Sequence, residues 1–68
     1  MSGYFSRLRE KAERAFWNEV RRSEAEGDLY DPQKAMADLN DGSTDYEAAM
    51  EMLNQIEVEA ERDGRIQL

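Results

Sequence analysis

The sequence contains neither cysteine nor histidine, and these two absences exclude much of the chemistry that enzymes use. Without cysteine, the chain has no disulfide, no thiolate nucleophile and no thiolate metal site. Without histidine, it lacks the commonest general base and the commonest neutral metal ligand. No glycine motif for phosphates or dinucleotides occurs either. We therefore expect a protein that is not an enzyme and that has no cofactor and no metal ion.

Large aliphatic and aromatic residues are also scarce, since Leu, Ile, Val and Phe together account for only eleven of the 68 residues. We treat residues 1–68 as one small helical domain, and a domain this short buries only about 60% of the surface that its unfolded chain exposes. A thin core of this kind favours support from a partner or a second copy. A disordered adaptor that folds on binding is a further alternative.

No hydrophobic run approaches the length of a membrane-spanning helix, and the first twenty residues have no apolar stretch typical of a secretory signal. We expect a cytoplasmic protein with no membrane partner. The net charge of −7 is unevenly distributed, because residues 1–22 carry a net +3 and residues 23–68 a net −10. An acidic chain of this kind repels nucleic acid at long range, so direct nucleic-acid binding is not expected.

The spacing of apolar residues predicts an all-α fold of two long antiparallel helices and a short middle helix, a three-helix hairpin or bundle. The predicted helices span about 4–25, 32–40 and 45–63. Apolar residues three and four positions apart define the buried face of the first helix at Phe5, Leu8, Ala12, Phe16 and Val20. In the third helix the corresponding seam comprises Tyr46, Ala49, Leu53, Ile56 and Ala60.

Local start and stop signals support these bounds. Asp31 followed by Pro32 is typical of a helix N-terminus, and Gly42 is the expected stop for the middle helix. Thr44 and Glu47 match a capping box, with Thr44 as the N-cap of the third helix. The segment from residue 38 to 47 does not fit a calcium loop, because its ligand positions fall on alanine and leucine.

The acidic residues of the third helix suggest a binding function. Carboxylates four residues apart rise about 6 Å along a helix, which is similar to the spacing of charges on a nucleic-acid strand. A protein that grips DNA or RNA with Lys and Arg could then bind this face instead. Plain solubility is the simpler explanation of the same charge. We expect the charged contacts to come from Glu47, Glu51, Glu57 and Glu61.

A second candidate face lies on the first helix, where Trp17 falls outside the apolar stripe and has Arg14 and Arg21 near it. Trp and Arg dominate the energetics of many binding sites, although Trp17 could equally fill the edge of a small core. Glu19 interrupts the apolar arc, which predicts either an Arg or Lys from another helix opposite it or a docked partner. A basic stripe also follows this helix, and we expect acids of the third helix to pair with Arg7, Lys11, Arg14, Arg21 and Arg22.

The sequence therefore favours a small acidic regulator or inhibitor that occludes a surface of a larger protein. Mimicry of nucleic-acid charge toward a nucleic-acid-binding protein or complex is its most concrete form. A chain of this size and character suits an accessory protein of the phage or mobile-element type. The alternative is a structural or assembly protein, a homodimer or larger homo-oligomer whose helices pair to complete a core.

Overall fold

The computed structural model describes residues 3–40 and 45–66 and places three α-helices in them. Helix α1 spans Tyr4–Glu26, α2 spans Pro32–Leu39 and α3 spans Tyr46–Arg62. The all-α prediction is confirmed, and each predicted helix end lies within one residue of the observed one. The predicted stop at Gly42 lies outside the described residues.

The start of α3 differs in its cap from the sequence prediction. The N-cap is Asp45, whose side chain accepts hydrogen bonds from the backbone N–H groups of Glu47 at 2.9 Å and Ala48 at 3.4 Å. Thr44, the predicted cap, lies outside the described residues. An aspartate at this position satisfies free backbone donors and also places a negative charge at the positive end of the helix dipole.

Replacing Asp45 with alanine should lower the free energy of unfolding by about 1 kcal/mol, because those two N–H groups lose their acceptor. Asp45→Asn is the matched control, since the amide oxygen can accept the same hydrogen bonds and stability should be largely retained. Urea denaturation followed by far-UV circular dichroism measures both changes. Equal stability in all three proteins would mean that Asp45 is not the cap.

The core contains residues from all three helices and one residue beyond α3. Phe16 and Leu53 are the largest fully buried side chains. The apolar faces predicted for α1 and α3 are confirmed in their central turns, and α2 adds a buried face of its own. Among the residues that the structure describes, the buried apolar ones are Leu8, Ala12, Ala15, Phe16, Val20, Ala35, Met36, Leu39, Ala49, Leu53, Ile56, Ala60 and Ile66.

Two residues predicted in the core are instead exposed. Phe5 is 64% exposed and Tyr46 is 51% exposed. Both lie in the first turn of their helix, and the core begins about one turn further on, at Leu8 and at Ala49. The periodicity therefore gave the correct face of each helix but not the point at which its neighbours begin to cover it.

A buried carboxylate joins α1 to the start of α2. Glu19 is 5% exposed, and its Oε2 accepts hydrogen bonds from the Arg22 guanidinium at 2.6 Å and the Asp31 backbone N–H at 2.9 Å. The hydrogen bond from Arg22 lowers the pKa of the Glu19 carboxyl, against the opposing effect of burial. The basic partner that the sequence required for Glu19 thus comes from the same helix, one turn away, and not from another helix.

The connection between α1 and α2 also buries part of Tyr30, whose ring packs against Phe16 with centroids 5.1 Å apart. Its hydroxyl oxygen is buried and has no hydrogen-bond partner within the described residues. Burial, and then the negative charge of Glu57, raises the pKa of this hydroxyl above its ordinary value. A buried donor that forms no hydrogen bond costs stability.

Tyr30→Phe should therefore raise the free energy of unfolding by about 1 kcal/mol, because it removes the buried hydroxyl and keeps the ring on Phe16. The control is Tyr46→Phe, which removes the hydroxyl of a half-exposed tyrosine and should leave stability unchanged. Thermal and urea unfolding of the two variants give the comparison. A loss of stability in Tyr30→Phe would show that the hydroxyl has a partner in solution.

The chain turns sharply after α3. Gly64 has a φ of 70°, a left-handed conformation that glycine adopts without steric cost, and the Arg65 N–H donates to the Ala60 carbonyl at 2.9 Å. This turn returns the chain to α1, so that Ile66 is buried and the Arg65 guanidinium lies over the Trp17 ring. The segment after α3 is thus part of the fold as far as residue 66.

Candidate functional site

The four glutamates predicted as charged contacts on α3 do not form one continuous row. At 100° per residue, Glu47 and Glu51 lie near the centre of the outer face of α3, and Glu61 lies nearer its edge. These three carboxylates are exposed, and none of them forms an ion pair within the described residues. We call Glu47, Glu51 and Glu61 the acidic face.

Glu57 lies outside this face, and its predicted contact with a partner stays a prediction. Its position on α3 is next to the buried seam, and its side chain is partly buried. Partial burial, and then the negative charge of nearby Glu61, raises the pKa of the Glu57 carboxyl. A carboxyl in this position is poorly placed to meet a basic surface on another molecule.

Within the described residues, the ion pairs predicted between the basic stripe of α1 and acids of α3 are not found for Arg7, Arg14, Arg21 or Arg22. Arg9, which lies outside that stripe, pairs with α3 instead, and its Nη2 lies 2.7 Å from Glu59 Oε1. Arg22 pairs instead within its own segment, with Glu19, Glu26 and Asp28. The Arg9–Glu59 contact joins the first half of α1 to the last turns of α3, as expected for antiparallel neighbours.

Three arginines of that stripe lie on the outer face of α1. Arg7, Arg14 and Arg21 are exposed, and none forms an ion pair in the described part of the chain. Arg21 donates a hydrogen bond to the side-chain oxygen of Asn18, which is uncharged. We call Arg7, Arg14 and Arg21 the arginine row, and two of them belong to the second face predicted from the sequence.

Trp17 fills the edge of the core, one of the two alternatives that the sequence left open, and its part in binding a partner stays a prediction. It is partly buried against the core and packs edge-on against Phe16, with ring centroids 4.9 Å apart. The Arg65 guanidinium lies 4.9 Å from the centre of the indole ring, a distance typical of a cation–π contact. The contact between Arg65 and Trp17 was not predicted, because Arg65 lies beyond the third helix and helical periodicity does not describe it. Gly64 could have indicated the contact, because a glycine at a helix end allows the chain to turn back.

A shallow groove of about 560 Å³ runs along one side of α1 beside the arginine row and is lined by Ser6, Arg9, Glu10, Glu13 and Arg14. Because a single helix lines this groove, it cannot enclose most of a small ligand as a ligand pocket does. A separate recess of about 140 Å³ between α1 and the segment after α3 is smaller than the usual ligand pocket of about 300 Å³ or more. In the described ranges, no group of three or more acidic residues is arranged to hold a metal ion, and no helix could cross a membrane.

The candidate site therefore consists of two charged surfaces on different helices. The acidic face lies on α3, and the arginine row lies on α1 with Trp17 at its edge. Exposed charged surfaces of this kind can steer and orient another macromolecule. Comparison of the chain with protein-family models, with curated proteins and with solved structures gives no match.

Proposed function

We propose that this protein is a small acidic regulator that binds a larger protein through the acidic face and occludes its surface. The observation that carries the proposal is that Glu47, Glu51 and Glu61 are exposed and have no basic partner in the described residues. Charged side chains left without partners on an ordered helix are available to a complementary surface. We place this activity in the cytoplasm.

The target that best fits this face is the basic surface of a nucleic-acid-binding protein. Glu47 and Glu51 are separated by about 6 Å along α3, so they can meet Lys and Arg side chains that normally contact successive phosphates. The acidic excess of residues 23–68 would speed association with such a surface through electrostatic steering. Binding would then block access of nucleic acid, which makes inhibition the expected outcome.

Assembly through the apolar seam of α3, the alternative drawn from the sequence, has less support. Ala49, Leu53, Ile56 and Ala60 are all buried within the chain, so this seam is occupied by α1 and α2. A homo-oligomer built on it would first have to open the core. The regulator is therefore the function that we favour.

A charge-matched pair of variants tests the proposal. Glu47→Gln/Glu51→Gln removes two charges from the acidic face, and Glu10→Gln/Glu24→Gln removes two exposed charges from α1. Both variants have a net charge of about −5, so steering by the overall charge weakens equally in the two. Immobilised wild-type protein and each variant are used to capture the target from a host lysate at low and moderate salt.

We expect the α3 variant to bind the captured target about tenfold more weakly than the wild type, because direct charge contacts are lost. The α1 variant should bind nearly as well as the wild type. Equal weakening in both variants would indicate that only the overall charge matters. Unchanged binding and salt dependence in the α3 variant would rule out the acidic face as the binding surface.

A further inference from the structure

The arginine row has a regular geometry that the proposed function does not use. Arg7, Arg14 and Arg21 follow one another at intervals of seven residues, which is nearly two helical turns. Successive members therefore lie about 10 Å apart along α1, and the row is about 21 Å long. All three side chains are exposed and lack a carboxylate partner in the described ranges, within a chain whose net charge is −7.

The outer face of α3 has the same spacing with the opposite charge. Glu47, Asn54 and Glu61 are also seven residues apart, and all three are exposed. The fourteen residues from Glu47 to Glu61 span about 21 Å, the length of the arginine row. Glu51 lies one turn from Asn54, so a long arginine side chain opposite Asn54 can reach it.

We propose that the arginine row of one copy docks against the acidic face of a second copy. Two α-helices that lie side by side rise equally per residue, so equal spacings stay in register along the contact. With the two helices antiparallel, Arg7 meets Glu61 and Arg21 meets Glu47. Arg14 then lies opposite Asn54 and reaches Glu51.

Nucleic acid fits the arginine row less well than a second copy does. Successive phosphates on one strand are closer together than the roughly 10 Å that separates members of the row, so part of the strand's charge would meet no arginine. The net charge of −7 also opposes the approach of nucleic acid. A second copy provides carboxylates at the required intervals.

The contact joins two different surfaces, so it is heterologous. The arginine row and the acidic face belong to different helices, and each points away from the core that the helices share. Each copy therefore offers one free surface after the first contact forms, and assembly continues head to tail as a chain or closes into a ring. Exposed charges hold such an assembly weakly, so it should be reversible and sensitive to salt.

Sedimentation equilibrium of the purified chain tests this assembly without any target protein. At about 20 mM salt, the weight-average mass should rise with concentration above the monomer mass of 7.9 kDa. At about 1 M salt, where the Debye length falls to about 3 Å, it should return to 7.9 kDa at every concentration. A mass of 7.9 kDa at all concentrations in low salt would overturn the proposal.

Charge reversal then identifies the surfaces. One variant carries Arg7→Glu/Arg14→Glu/Arg21→Glu, and the other carries Glu47→Arg/Glu51→Arg/Glu61→Arg. Each variant alone should remain monomeric, because its two surfaces carry the same charge, whereas an equimolar mixture should assemble again. Far-UV circular dichroism checks that both variants remain helical.

Assembly that persists in both reversed variants would show that another surface holds the copies together and would refute the proposal. If both variants are folded but their equimolar mixture does not assemble, the proposal is also refuted. The arginine variant retains Glu47 and Glu51, so it still captures a target if the proposed function is correct. The two proposals can therefore fail independently of each other.

Discussion

Replacing Phe16 with alanine should lower the free energy of unfolding by about 3–5 kcal/mol, the largest effect that we expect from a single substitution. Phe16 has no exposed surface and is one of the two largest fully buried side chains. Its ring contacts Trp17 on one side and Tyr30 on another. The substitution thus removes buried apolar area and also leaves a cavity among these rings.

The effect should be visible as partial or complete unfolding at room temperature. Small domains are stable by only about 5–15 kcal/mol, and this core holds few large side chains. Urea denaturation is best followed by far-UV circular dichroism, because Trp17 fluorescence would change with the loss of its neighbour even in a folded protein. The midpoint should move strongly to lower urea, or the folded baseline should disappear.

Phe5→Ala is the control for Phe16→Ala, because it deletes the same ring from a site that is 64% exposed. Its effect should be within about 0.5 kcal/mol, as for most surface substitutions. The contrast between the two variants tests where the core of α1 begins. Similar losses in both would mean that Phe5 is covered in solution, either by this chain or by a second copy.

Replacing Glu19 with alanine should cost about 2–3 kcal/mol, somewhat less than the loss of a fully buried ion pair. Glu19 is buried, whereas its partner Arg22 is 24% exposed and keeps contacts with Glu26 and Asp28. The substitution also removes the acceptor of the Asp31 N–H at the start of α2. Alanine favours the helix more than glutamate does, so any loss reflects these contacts.

Glu26→Ala is the matched control, because it removes a more exposed carboxylate from the same arginine, 2.7 Å from Arg22. Exposed pairs of this kind contribute about 0–1 kcal/mol. The free energies of unfolding of the two variants, measured by urea denaturation, should therefore differ by at least about 1 kcal/mol. If Glu26→Ala cost as much as Glu19→Ala, burial of Glu19 would not be the source of its contribution.

The ion pair between Glu19 and Arg22 also predicts how the free energy of unfolding depends on pH. The pKa of Glu19 is lowered in the folded protein, so the unfolded chain binds more protons in acid. The contribution of Glu19 is therefore present above its ordinary pKa of 4.5 and is lost as the pH falls through the lower, folded value. Urea titrations between about pH 7 and pH 3 should show the difference between wild type and Glu19→Ala shrinking in acid. A constant difference would contradict the lowered pKa.

The sequence by itself determined the helices and their central buried faces. Asp31 with Pro32 marked the start of α2, and the spacing of Leu53, Ile56 and Ala60 marked the buried side of α3. These features are local, because an N-cap acts within one turn and apolar periodicity describes one helix at a time. The uneven distribution of charge along the chain is likewise a property of the sequence alone.

Only the tertiary structure decided which side chains meet between helices and which remain free. It exposed Phe5, set Glu57 beside the core, paired Arg9 with Glu59 and brought Arg65 onto Trp17. The periodicity of a helix gives the direction of a side chain around one axis, whereas pairing also depends on where the neighbouring helix begins, ends and crosses. The arginine row is available for binding because that packing gave its members no carboxylate partner in the described residues.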